Sequence, residues 1–311
     1  MRNVWVIARR EYDQYFSTPI SYAVAFAILL IVGVIFALTV YGAYQSAFTG
    51  GSLGGGSPAP DVKGIAGTFT FMLVLSVPAL TMRLISDENR MGTLELLLTA
   101  PVQDWELIVG KWLGGLLFLF TVLAVTLVYP VILNIYETSD PNLQWQVFSL
   151  ILLCLALLVM FWNLVTGNRV EALFILLGIW VIAIVAGILL FHFAAPGIDW
   201  GLTTSSYLGL ILVSASFLGL GVGISSLFSN QVAAFFVTLG VFIFLWWMFG
   251  FISQFAQGSA ADIFTYFDMG AHFNNNLNAG TINLSDLVYY LSLTALGLFT
   301  GTVAVETRRW S

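Results

Sequence analysis

Residues 200–261 read WGLTTSSYLGLILVSASFLGLGVGISSLFSNQVAAFFVTLGVFIFLWWMFGFISQFAQGSAA, without a single Asp, Glu, Lys or Arg. A helix needs about 20 apolar residues to cross the roughly 30 Å hydrocarbon core of a bilayer, so this run is long enough for two crossings. Ser229-Asn230-Gln231 interrupts it near the middle, which predicts a hairpin with arms near 205–228 and 232–252. The pattern recurs elsewhere. Windows 19–44, 64–82, 112–136 and 141–168 carry no charge, 172–198 carries only His192, and 287–305 closes the set. The expected fold is all-α: a polytopic membrane protein of about eight transmembrane helices, forming one transmembrane domain over 1–311.

Composition agrees. The 311 residues are 59% hydrophobic and 8% charged, against about 25% charged in soluble domains. Twenty-six Phe, eleven Tyr and ten Trp, with ten Lys and Arg in all, would leave large apolar patches on a water-soluble globule. The net charge of −6 and the scattered bases exclude a nucleic-acid partner, which requires a clustered basic face. Cys154 has no second cysteine to pair with and sits in an apolar run, so it reads as a packing or lipid-facing residue.

The window at 19–44 is too long for a cleavable signal and reads as a retained span. Bases at span ends resist translocation and set orientation. Eight spans place Arg2, Arg9, Arg10, Arg83, Arg90, Lys111, Arg169, Arg308 and Arg309 on one side and Lys63 alone on the other. The expected product is a multi-pass protein of the cell membrane, in contact with its lipids, with both termini cytoplasmic.

The span interiors hold essentially no ionisable side chain, which argues against coupling to protons or sodium. An intramembrane hydrolase would have to combine Ser225 or Ser226 with His192 or His272. Serine in a glycine-rich span is more often helix-packing glue, and His272, in an outer loop, reads as a solvated or interfacial imidazole. No catalytic residue is therefore assigned. Two histidines and one cysteine, widely separated, fail the spacing of a metal site. Gly110-Lys111 is followed by Trp112 and lacks the preceding glycine of a phosphate-binding loop, so any nucleotide is bound by another chain.

One long charged stretch remains, MRLISDENRMGTLELLLTAPVQDWELIVGK at 82–111. Gly92 reads as a helix stop, Thr93 as the start of a short helix through Leu98, and Pro101 forbids that helix from continuing. Asp104 is placed to cap the helix entering the third span. Leu94, Leu97 and Leu98 share a face from which Glu95 turns away, as in a helix lying on the membrane surface.

This stretch resembles the coupling segment of type 2 ATP-binding cassette (ABC) permeases, particularly the branch with the gliding-motility-associated subunit. The resemblance rests on Asp87-Glu88-Asn89-Arg90-Met91-Gly92-Thr93-Leu94-Glu95, Thr99-Ala100-Pro101-Val102 and Gly110-Lys111. It is supported by Tyr207-Leu208-Gly209-Leu210, Asn230-Gln231-Val232-Ala233-Ala234, His272-Phe273, Asp286-Leu287-Val288-Tyr289-Tyr290 and Arg308-Arg309-Trp310.

The resemblance implies a permease subunit, expected to serve an exporter. It has no cofactor of its own and works with cytoplasmic ATPase subunits that bind ATP and Mg, and with a second permease copy or paralogue. It implies a coupling segment over 84–100, with Gly92 and Pro101 setting its shape and Glu88, Thr93, Leu94, Glu95 and Leu97 making contact. The family core has six spans, so 140–198 reads as an inserted two-span hairpin. The alternative function is a self-contained secondary transporter or channel, which would show carboxylates or broken helices near mid-membrane.

Residues 2–17 place Val4, Trp5, Ala8, Tyr12, Tyr15 and Phe16 along one side, the pattern of an interfacial helix. The family resemblance makes Arg9 and Arg10 candidate ATPase contacts, and simple membrane anchoring is the other reading. Residues 50–60 have linker composition. The outer stretch 253–284 is too apolar for a free loop and is expected to dip into the interface, in the manner of the family's re-entrant outer helix. Gly110/Gly114, Gly219/Gly223 and Gly297/Gly301 have the spacing that lets helices approach closely.

Overall fold

A computed structural model describes residues 2–48, 61–86, 103–137 and 198–309. Those residues form helices: α1 (Arg2–Tyr15), α2 (Pro19–Phe48), α3 (Val62–Thr81), α4 (Asp104–Thr126), α5 (Val128–Glu137), α6 (Trp200–Leu227), α7 (Gln231–Ser253), α8 (Ser259–Phe267) and α9 (Leu284–Arg309). No strand occurs among them. Six stretches are long and apolar enough to cross a membrane, and they match six of the expected windows. The two windows within 140–198 fall in 138–197, outside the described residues.

The core is built around α6, which packs against α3, α4, α7 and α9. In a bilayer apolar side chains gain little from meeting one another, so contact depends on close backbone approach and buried hydrogen bonds. Both are present. A Cβ on Gly297 would lie 2.3 Å from the Gly219 carbonyl carbon, and one on Gly223 would lie 2.4 Å from the Gly297 oxygen. The glycine pairs at 219/223 and 297/301 are thus the two halves of one crossing. Beside it Ser216 Oγ stands 2.8 Å from the Tyr290 carbonyl oxygen.

The long helix of the third span breaks at Leu127, between α4 and α5. Pro130 has no N–H to give the Thr126 carbonyl one turn back. The buried Tyr207 hydroxyl donates to that oxygen instead, at 2.9 Å.

Following the crossings, α1, Arg83, the turn at Ser229-Asn230 and the end of α9 lie at one end of the bundle. Lys63, the start of α6 and the segment 254–283 lie at the other, where Asn278 Nδ2 donates to the Lys63 carbonyl at 3.2 Å.

Candidate functional site

Of the residues expected to couple this chain to an ATPase, Glu88, Gly92, Thr93, Leu94, Glu95, Leu97 and Pro101 lie outside the described residues. The structure does show how both ends of their segment are held. On the entry side Pro78 sits within α3, the helix ends at Thr81, and Leu84, Ile85 and Ser86 are buried while Arg83 is exposed. Thr81 packs on Gly221 of α6, where a Cβ would come within 2.6 Å of its hydroxyl.

On the exit side the first turn of α4 is closed differently from the expectation. Asp104 is the first helical residue and not the cap; Gln103 takes the cap position, and its backbone N–H donates to the Glu106 carboxylate at 3.3 Å. A carboxylate three residues into a helix can satisfy an amide that the helix leaves free, and Asp104 and Glu106 both suit the positive end of its dipole. Glu106 also accepts from Asn3 Nδ2 of α1 at 2.9 Å.

This contact begins a long seam. Helices α1 and α4 run side by side in the same direction. Gly110 faces Val4 and Ile7, and Gly114 faces Ala8 and Glu11; Cβ atoms there would come within 2.7 Å of α1. The Tyr15 and Phe118 rings stack with centroids 5.0 Å apart, and Tyr12 Oη lies 3.2 Å from Thr121 Oγ1. The side of α1 read from the sequence as apolar is the right one: Ala8, Tyr12 and Tyr15 are buried on it. What covers that side is α4. Burial pushes the Tyr12 phenol above its ordinary value, with Asp13 adding to the effect and the Thr121 hydrogen bond opposing it.

One charged residue occupies the same buried side. Glu11 Oε1 lies 2.7 Å from Lys111 Nζ, with the two side chains 7% and 2% exposed. The sequence reading passed over Glu11 and named Lys111 only as an orienting base and within the Gly110-Lys111 motif. The available signals were an acid three residues after Ala8 and one before Tyr12, on the apolar stripe, and a lone lysine flanked by Gly110 and Trp112 at the edge of a span. Arg9 is half-buried and Arg10 exposed; among the described residues neither forms an ion pair.

The opposite end corrects a further expectation. His272 is buried, not solvated. Its Nδ1 is 2.6 Å from Asp286 Oδ1 and its Nε2 2.8 Å from the Tyr266 carbonyl oxygen, while its ring stacks on Tyr289 at 4.3 Å. Asn276 Nδ2 donates to the same Asp286 oxygen at 3.1 Å. The segment 253–284 is apolar in two ways: Ile263, Tyr266 and Phe267 of α8 are exposed, whereas Met269, Phe273 and Leu277 are buried. Asp268, between them, has its carboxyl raised above the ordinary range by burial, against the hydrogen bonds it accepts from the backbone of Ala271 and Gly270. Among the described residues no group of three or more His, Cys, Asp or Glu is arranged to hold a metal ion.

Comparison with known proteins is consistent with this architecture. The family described as ABC-2 type transporter matches residues 2–178, a range that takes in the segment 87–102 and the larger part of 140–198. A probable ABC transporter permease protein NosY of Stutzerimonas stutzeri is 33% identical over 125 residues, 40% of this chain and 42% of that relative's length. The family match covers more than half of the 311 residues and falls on a chain with six apolar helices of membrane-crossing length. This chain therefore belongs to the ABC-2 type transporter family.

Proposed function

We propose that this chain is the permease subunit of an exporter and couples ATP hydrolysis on a separate cytoplasmic ATPase to movement of its own spans. ATP and Mg bind the ATPase and not this chain. The observation that carries the reading is the anchoring of both ends of 87–102: buried Leu84, Ile85 and Ser86 on entry, and α4 clasped by α1 on exit. A segment fixed at both ends to packed helices transmits a push, whereas a free loop absorbs it.

In this mechanism ATP draws two ATPases together, the segment 84–100 is displaced, and the spans reorganise around a path at the contact with a second permease copy or paralogue. Gly92 and Pro101 set the shape of the segment; Glu88, Thr93, Leu94, Glu95 and Leu97 make the contact. Arg10, exposed on α1, and Arg9 beside it border the same ATPase surface. The α1 end of the bundle is then cytoplasmic, in the cell membrane, with both termini on that side. The placement in the branch with the gliding-motility-associated subunit rests on the motif residues of 82–111, 207–234 and 272–310.

The test is purification of this chain from its native membrane in mild detergent, with mass spectrometry of what accompanies it. A near-stoichiometric ATPase bearing a phosphate-binding loop, lost on Leu94→Asp while the permease stays inserted, is the expected result. A folded preparation without such an ATPase would overturn the proposal. Alanine at both Arg9 and Arg10 is expected to weaken the association without reducing insertion; unchanged association would remove their docking role.

A further inference from the structure

We infer that the Glu11–Lys111 ion pair is a register pin, which makes α1 and the first half of α4 move as one body when the coupling segment is displaced. The inference rests on the coupling reading above and adds a positioning role for two residues outside the segment.

A buried ion pair is a poor source of stability. Desolvating both charges costs about as much as their attraction returns, and apolar residues of similar volume usually hold two elements together as well or better. Withdrawing one of only ten bases from water therefore calls for another explanation. The seam itself supplies it. Gly110 and Gly114 form a groove along α4 in which the backbone of α1 rests, against Val4 and Ile7 and then Ala8 and Glu11. A groove of small residues repeated at helical spacing holds a partner closely but marks its axial position weakly. A slide of one turn, about 5.4 Å, is the kind of step packed helices are known to make.

Three polar contacts oppose that slide: Asn3 to Glu106 near the first turn of α4, at 2.9 Å, Tyr12 to Thr121 at 3.2 Å, and Glu11 to Lys111 at 2.7 Å, the one of the three that joins two opposite charges. Moving α1 by one turn would part the Glu11 carboxylate from the Lys111 ammonium in a buried site, which is strongly unfavourable. Arg10 is the neighbour of Glu11 in sequence and is exposed. Pinning Glu11 thus also fixes where Arg10 is presented. Displacement of α4 at Gln103 then carries the whole of α1 with it.

The experiment uses the complete transporter with its ATPase and spin labels at two pairs of positions. Gln14 with Asn230 reports on α1 against the α6–α7 turn, and Trp105 with Asn230 reports on α4 against the same turn. In the native protein both distances are expected to shift between the ADP and ATP states. In the double variant Glu11→Leu with Lys111→Met the seam stays apolar, and the ATPase and thermal midpoint are expected to be retained. The Gln14–Asn230 shift should nevertheless be lost or scattered while the Trp105–Asn230 shift persists. The exchanged pair, Glu11→Lys with Lys111→Glu, is expected to restore it. An undiminished Gln14–Asn230 shift in the apolar variant would overturn the pin and leave coupling intact. The absence of any nucleotide-dependent shift at either pair in the native complex would instead overturn the coupling reading, and the pin with it.

Discussion

His272 is bonded at both ring nitrogens: Nε2 donates to the Tyr266 carbonyl oxygen, which can only accept, and Nδ1 lies 2.6 Å from Asp286 Oδ1. Asp286 Oδ2 is buried with no hydrogen-bond partner among the described residues. Removing either member takes a short buried contact from the other. Asp286→Ala or His272→Ala is expected to cost about 3–5 kcal/mol, read as a lowered thermal midpoint in detergent and faster hydrogen exchange over residues 266–280. Tyr207→Phe strips the Thr126 carbonyl of its replacement donor and is expected to cost about 1–3 kcal/mol by the same unfolding measurement.

Asp268 gives a pH dependence of defined sign. Its folded carboxyl is raised above the unfolded value, chiefly by burial. The unfolded state therefore releases its proton first as pH rises, and the contribution of Asp268 to stability is fully present below the unfolded value and lost as pH climbs through the folded one. Asp268→Asn keeps the side-chain acceptor for the Gly270 N–H, seen at 2.9 Å, and removes the titration. The variant should match the parent at acid pH and exceed it at neutral pH, in thermal midpoints measured across that interval. A parallel profile for both proteins would contradict the assignment.

Among the described elements, the α6–α9 crossing leaves no room for a Cβ. Gly297→Ala must push α9 away from the Gly219 backbone, since the added atom would stand within 2.4 Å of main-chain atoms that have no alternative position. About 1–3 kcal/mol of destabilisation is expected from such overpacking. Gly240→Ala is the control: nothing lies within 4 Å of its Cβ, and better helix propensity makes it neutral to stabilising by up to about 1 kcal/mol. Equal effects of the two substitutions on unfolding in detergent would mean that the crossing is looser than described. Spacing alone marked Gly219/Gly223 and Gly297/Gly301 as able to pack closely, as it would any such pair; which pair meets which depends on how six helices are arranged.

At the scale of the molecule the two ends of the bundle differ in charge. Arg9, Arg10, Arg83 and Lys111 belong to the α1 end and Lys63 to the other, and bases are retained on the cytoplasmic side. With Cys154 replaced by Ser, single cysteines at Lys63 and Thr281 are expected to react with a membrane-impermeant thiol reagent in intact cells. Cysteines at Arg10 and Asn230 should react only after permeabilisation. The reverse pattern would invert the orientation.

The placement of the six described spans and the apolar side of α1 were legible in the sequence. The free energy of putting about 20 residues into hydrocarbon depends on those residues alone, and the side of a helix follows from its own 3.6-residue period. The capping of α4 by Gln103 in place of Asp104 was a local matter, settled by the reach of the Glu106 carboxylate back to the Gln103 N–H. The remaining features needed the tertiary structure. Glu11 and Lys111 are 100 residues apart, and His272 and Asp286 belong to different elements 14 residues apart. A charge read alone looks solvated, because its energy depends on a partner that only the packed helices bring within reach. The sequence by itself thus determined which of the described stretches are long and apolar enough to cross a membrane, and the tertiary structure decided which of the buried charges meet.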